Sequence, residues 1–226
     1  MIPKIIHYCW FGKGEMNQLQ KFCLNTWKSK LKDYEIKEWN EDNFDVNSIP
    51  FVKDAYDKKK WAFVSDYVRA YALNTEGGIY LDTDVEIRRS LDGFLELTSF
   101  SGFETKGSPF TAVWGSVKNH KWTRLVLDYY DSQSKFTEIT NTKIVSDLLV
   151  NEFNIDPDLD ELQVGNMKEV VIFPSEFFCI DLPTSYAVHH FNGSWLSEPS
   201  EYKQYVNDKY HYLRISDKFK SHPDFK

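Results

Sequence analysis

The chain has 226 residues, a formal net charge of -7, 42% hydrophobic and 16% aromatic residues. A domain of this size buries roughly 70% of the surface its unfolded chain exposes, so it needs no disulfide or metal staple to fold. The negative balance excludes general nucleic-acid binding, which rests on a basic footprint, and the three cysteines (Cys9, Cys23, Cys179) form no CxxC pair that would mark a zinc site.

Ile5 to Phe11 reads as a buried first strand closing on Gly12-Lys13-Gly14. From about Asn17 to Lys30, Leu19, Phe22, Cys23, Thr26 and Trp27 recur at helical spacing. Tyr34 to Trp39 alternates as a second strand, and strand, helix, strand favours parallel pairing across a helical crossover. Helical tracts follow at about Val52 to Asp57 and Lys60 to Asn74, the second ended by Gly77-Gly78. Ile79 to Leu81 is then a buried strand, with Val85 to Ile87 continuing extended beyond Asp82-Thr83-Asp84. Phe100 to Phe103, Thr111 to Trp114 and Val170 to Phe173 read as short strands, and Trp122 to Tyr130 and Thr142 to Phe153 as helices. Ala187 to Trp195 is the last legible segment; beyond about Pro199 the chain is polar and tyrosine-rich. No run of 18 apolar residues occurs, and the first residues are too short and polar for a leader. The expectation is one α/β domain in a reducing cytoplasm, with at most peripheral membrane contact.

Asp82 and Asp84 carry the chemistry. Carboxylates at i and i+2 of an extended backbone point the same way. They offer hard oxygen ligands to Mn²⁺ or Mg²⁺ and leave positions open for phosphate and water. At the carboxyl end of a parallel strand they also lie where open α/β sheets bind ligands. Asp66 and Arg69 are three residues apart on the preceding helix, hence on one face, and an acid beside a guanidinium can grip sugar hydroxyls as acceptor and donor. An exposed ion pair is the plainer alternative.

The runs Trp61 to Arg69 (WAFVSDYVR) and Gly77 to Asp84 (GGIYLDTD) resemble the glycosyltransferases whose signature is the DXD sugar-binding region, and look like family 32 of the GT-A type. Ile2 to Gly12 resembles the first strand of the same group, so the likeness spans residues 2 to about 90. It implies a GT-A, Rossmann-like nucleotide-sugar-binding fold: one domain over 1–226 with a central, mainly parallel sheet. Residues 1–95 would then form the donor half, and 96–226 the acceptor half with a C-terminal segment that completes the metal site. It implies a catalytic set of Asp66, Arg69, Asp82 and Asp84, with His7 and Trp10 also binding the donor. Trp10 would stack on uracil (core packing is its alternative), and Asp66 and Arg69 would hold the sugar hydroxyls. Asp82 would lie near ribose and sugar, and Asp84 would ligate the metal. His190 to Trp195 (HFNGSW) resembles the late histidine motif of retaining enzymes, implying His190 as a further ligand beside Asp82 and Asp84, with Ser194 and Trp195 near the diphosphate. His189 would point the other way in an extended segment.

The activity implied is retaining transfer of a hexose from a nucleoside-diphosphate sugar, UDP favoured, with Mn²⁺ or Mg²⁺. The acceptor implied is a glycan or lipid-linked oligosaccharide, as in bacterial capsule synthesis. Two rivals stand beside it. An aspartyl-phosphate phosphatase wants Thr or Val where this chain has Glu86, and places its motif on the first strand. A catalytically idle carbohydrate-binding domain would not need Asp66, Arg69, Asp82 and Asp84 together.

Overall fold

The structure, a computed structural model, describes residues 1–105 and 107–192. The carboxyl-terminal tail, Ser194, Trp195 and Lys106 lie outside these residues.

The first unit is as the sequence reads it. β1 (Ile5–Cys9) is followed by α1 (Gln18–Lys30) and β2 (Glu35–Trp39), and β2 pairs parallel to β1. Asn17 caps α1: its side chain accepts from the Gln20 amide at 3.0 Å, while the Gln20 side chain accepts from the Asn17 amide at 2.8 Å. α1 buries Cys23 and Trp27, and the Trp27 indole donates to the Val85 carbonyl at 2.7 Å, fastening the helix to the chain just beyond the acidic pair.

α2 (Pro50–Asp57) and α3 (Trp61–Glu76) precede β3 (Gly78–Leu81). Glycine is required at this junction. Gly78 has φ +116°, and a Cβ there would stand 2.6 Å from the Ile5 carbonyl oxygen. β3 then lies parallel against β1. β4 (Val85–Ile87), expected simply to continue the chain, leaves the main sheet for a ribbon of its own. The second half supplies β5 (Ser99–Thr105), β6 (Ser108–Ser116), α4 (Lys121–Asp131), α5 (Asn141–Phe153), β7 (Gln163–Val164), β8 (Val171–Phe173), α6 (Ser175–Phe178) and β9 (Ala187–His189).

Seven strands form one sheet in the order β2-β1-β3-β6-β5-β8-β7, so both halves share a single sheet through the β3–β6 pairing. β1–β2, β1–β3 and β5–β8 are parallel, while β6 and the short β7 run antiparallel to their neighbours. β6, expected only over Thr111 to Trp114, is nine residues long. Alternate strand residues enter two apolar layers: Tyr80 packs with the α2–α5 side, Ile79 and Leu81 with the α1 and α6 side. Covering both faces suits a sheet with a parallel centre. No described helix is long and apolar enough to cross a membrane. This is the expected α/β architecture, and it sets the carboxyl ends of β1 and β3 at one edge.

Candidate active site

β3 ends at Asp82, whose amide donates to the Ala112 carbonyl at 2.9 Å, and a turn closed by Val85 N–H to Asp82 C=O (3.0 Å) reverses the chain. The two acids therefore converge through a turn rather than through strand alternation. Asp82 Oδ1 accepts from the Tyr80 hydroxyl at 2.9 Å and lies 3.3 Å from an Arg69 nitrogen.

Arg69 is the hub beneath the acids. It donates to Asp66 Oδ1 (2.8 Å), the Ser65 carbonyl (3.3 Å), and the carbonyl and hydroxyl of Thr111 (3.2 and 3.3 Å), with its guanidinium over the Tyr80 ring. Asp66 and Arg69 are each only 7% exposed, which rules out the solvated surface pair. One cation thus serves two carboxylates. Burial pushes Asp66 up to about 7, with Asp82 adding and Arg69 opposing. Burial would lower Arg69, but Asp82 first, then Tyr80 and Asp66, hold it above its usual range. The Thr111 hydroxyl in turn donates to the Asn141 side chain at 2.5 Å, so the N-terminus of α5 braces the hub.

Asp84 meets the carboxyl-terminal segment. β9 pairs antiparallel with β4, placing His189 opposite Val85. His189 Nε2 stands 3.4 Å from Asp84 Oδ1, and the Asn192 amide donates to Asp84 Oδ2 at 2.8 Å. Burial would raise Asp84, but the His189 imidazole, with the backbone amides of Asn192 and of Asp84 itself, outweighs it and holds the carboxyl at about 2. Burial would lower His189, but Asp84 reverses the shift and raises it well above the usual histidine range. Ligand atoms of Asp82, Asp84 and His189 lie within 4.8 Å of one another. Two carboxylates and an imidazole at that spacing fit a hard-to-borderline divalent cation such as Mn²⁺.

Two expectations need correction. The histidine at the acids is His189, not His190: the ribbon register turns His190 away, and its Nε2 lies 3.0 Å from Glu86 Oε2 instead. His7 does not line the cleft. It is fully buried, one ring nitrogen 2.7 Å from the Gly77 carbonyl and the other accepting from the Trp39 indole at 3.0 Å. Burial lowers its pKa, and its work is to anchor the α3–β3 junction.

Asp66, Arg69, Asp82 and Asp84 come together with Trp10 around one cleft of about 640 Å³. Trp10 is half-buried, its indole donating to the Gly14 carbonyl at 2.7 Å. Trp61, the first residue of the WAFVSDYVR run, also lines the cleft. A Cβ on Gly12 would stand 2.5 Å from its ring. Thr111 and Asn141 serve the hub without any sequence signal, because nothing in spacing ties β6 or α5 to Arg69.

Residues 17–101 match the family described as glycosyltransferase sugar-binding region containing DXD motif. An uncharacterized glycosyltransferase of Acanthamoeba polyphaga mimivirus is 28% identical over 237 residues, covering 93% of this chain and 90% of that protein. Inositol phosphoceramide mannosyltransferase 3 of Schizosaccharomyces pombe is 30% identical over 126 residues, 53% of this chain; the match spans only 34% of the yeast protein. The solved structure of the PaToxG glycosyltransferase superposes with a TM-score of 0.52 at 17% identity, covering 67% of this chain and 69% of that one, a likeness of fold. Residues 17–101 are thus similar to the sugar-binding region of the DXD glycosyltransferases, and the near full-length relative and the likeness of fold agree with that match.

Proposed function

We propose that the cleft transfers a hexose from a nucleoside diphosphate to an acceptor hydroxyl with retention of configuration, using a divalent cation held by Asp82, Asp84 and His189. The observation that carries this reading is the convergence of those three side chains within 4.8 Å, beside the buried Asp66–Arg69 pair. When bound, the cation would neutralise the diphosphate and make it a competent leaving group.

The chain's own residues do the positioning. Trp10 offers an indole face to the base. Asp66 accepts from sugar hydroxyls, and Arg69 donates to them from a frame of fixed carbonyls. Asp82, held by Tyr80 and Arg69, orients ribose and sugar. The acids at the donor end are already engaged, Asp66 and Asp82 by Arg69 and Asp84 by His189 and the Asn192 amide, and none is set for covalent attack. Transfer on the same face follows. The C1–O bond to phosphate breaks, the acceptor oxygen bonds to C1, and the departing phosphate oxygen takes the acceptor's proton. Trapping a glycosyl adduct on any cleft carboxylate, Glu104 included, would refute this.

UDP is the favoured nucleotide on the Trp10 likeness. GDP-mannose is the second reading, supported by the names of two yeast relatives, inositol phosphoceramide mannosyltransferases 2 and 3. The acceptor is a glycan or lipid-linked oligosaccharide read by residues 96–226, with surface-polysaccharide assembly such as bacterial capsule as the setting. None of the three buried cysteines is in a disulfide, in keeping with a reducing compartment. A screen of UDP- and GDP-sugars for Mn²⁺-dependent hydrolysis tests the reading; no turnover of any nucleotide sugar would overturn it.

A further inference from the structure

His190 and Glu86 stood out in the sequence, and neither lines the cleft. They meet each other instead. Glu86 Oε2 lies 3.0 Å from His190 Nε2, its other oxygen accepts from Arg88 Nε at 3.0 Å, and Arg88 reaches Asp181 at 2.6 Å. Asp181 lies between α6 and β9, so this charged chain gathers both ends of the segment that delivers His189 around one carboxylate, itself only 15% exposed.

The need for such a tie is plain from the ribbon. β4 and β9 have three residues each and, among the described residues, pair only with each other. A two-stranded ribbon is marginal on its own. Yet this one must hold His189 Nε2 3.4 Å from Asp84. We infer that Glu86, with His190, Arg88 and Asp181, is a positioning staple that fixes His189 against Asp84 and thereby sets the cation affinity of the site. The inference rests on the cation-site reading above.

It follows that loosening the staple weakens the cation without touching the donor's contacts. Partners that orient metal ligands typically matter by about 10–100-fold in metal affinity. The test is Mn²⁺ titration of the full chain, followed by the free-ion electron paramagnetic resonance signal, on wild type, Glu86→Ala, Glu86→Gln and Asp84→Ala. Glu86→Ala should weaken Mn²⁺ by at least about 10-fold. Glu86→Gln, which can still accept from Arg88 and bond His190, should keep most of the affinity. Saturating Mn²⁺ should restore kcat in Glu86→Ala, and backbone amides of 187–190 should exchange faster in the metal-free variant. If Glu86→Ala fails to fold, Arg88→Ala opens the same chain from the other side of Glu86. Wild-type affinity in a folded Glu86→Ala or Arg88→Ala, with Asp84→Ala devoid of binding, overturns the staple alone. Equal binding by wild type and Asp84→Ala overturns the cation site and the staple with it.

Discussion

Replacing Arg69 by Met isolates the hub of the site. The methionine keeps most of the buried stem and removes only the guanidinium, leaving Asp66 at 7% exposure without its cation. Four other contacts go with it: the bonds to the Ser65 carbonyl and to both oxygens of Thr111, and the charge beside Asp82 at 3.3 Å. Breaking a buried pair from one side costs about 3–5 kcal/mol, because the acid left behind must stay buried unpaired or take up a proton. For a chain of this length, about 2–4 °C per kcal/mol converts this to a fall in Tm of roughly 6–20 °C. The double variant Asp66→Asn/Arg69→Met removes the unpaired acid and should recover part of the loss, a non-additivity expected of groups in contact. Scanning calorimetry of both variants beside wild type is the assay. A fall of less than about 2 °C in the single variant, or a double variant less stable than the single, would refute the placement of Arg69 as counter-ion to a buried acid.

Asp66 also gives a pH dependence of definite sign. Its pKa rises from 3.8 to about 7 on folding, so the folded chain holds a proton that the unfolded chain has released. Its contribution is therefore fully present below about pH 4 and is lost as pH rises through about 7; urea midpoints across that window should show the slope flattened in Asp66→Asn. His7→Leu orphans the Trp39 indole and should cost about 1–3 kcal/mol with the KM for donor unchanged; a raised KM at unchanged Tm would return His7 to the donor site. Trp10→Ala should raise the donor KM by about 5–150-fold, as loss of one stacked base does, with little change in Tm. A lower Tm with the same KM would make Trp10 a packing residue.

The N-terminal half was legible because its signals are local. The capping box of Asn17 and Gln20 starts α1, Gly77-Gly78 stops α3, and the i,i+3 spacing of Asp66 and Arg69 puts both on one helix face. Burial of that pair could not be read, since the groups that enclose it, Thr111 and Asn141, come from β6 and α5. The C-terminal histidine shows the limit most sharply. Alternation correctly required that only one of His189 and His190 face the acids, but which one depends on strand register, and a shift of one residue exchanges the two faces. That register belongs to the β4–β9 ribbon, a pairing of residues about a hundred positions apart that no local pattern encodes. Likewise the strand-like appearance of Ile5 to Phe11 could not tell that His7 is committed to Gly77 and Trp39.

The most direct test of the central claim is cation-dependent release of nucleoside diphosphate from a nucleotide sugar by wild type, Asp84→Ala and His189→Ala. The account predicts hydrolysis that needs Mn²⁺ or Mg²⁺, falls by at least about 100-fold in Asp84→Ala as expected for a lost metal ligand, and falls in His189→Ala in parallel with Mn²⁺ affinity. Hydrolysis that proceeds equally in chelator, or that survives Asp84→Ala unchanged, would contradict it.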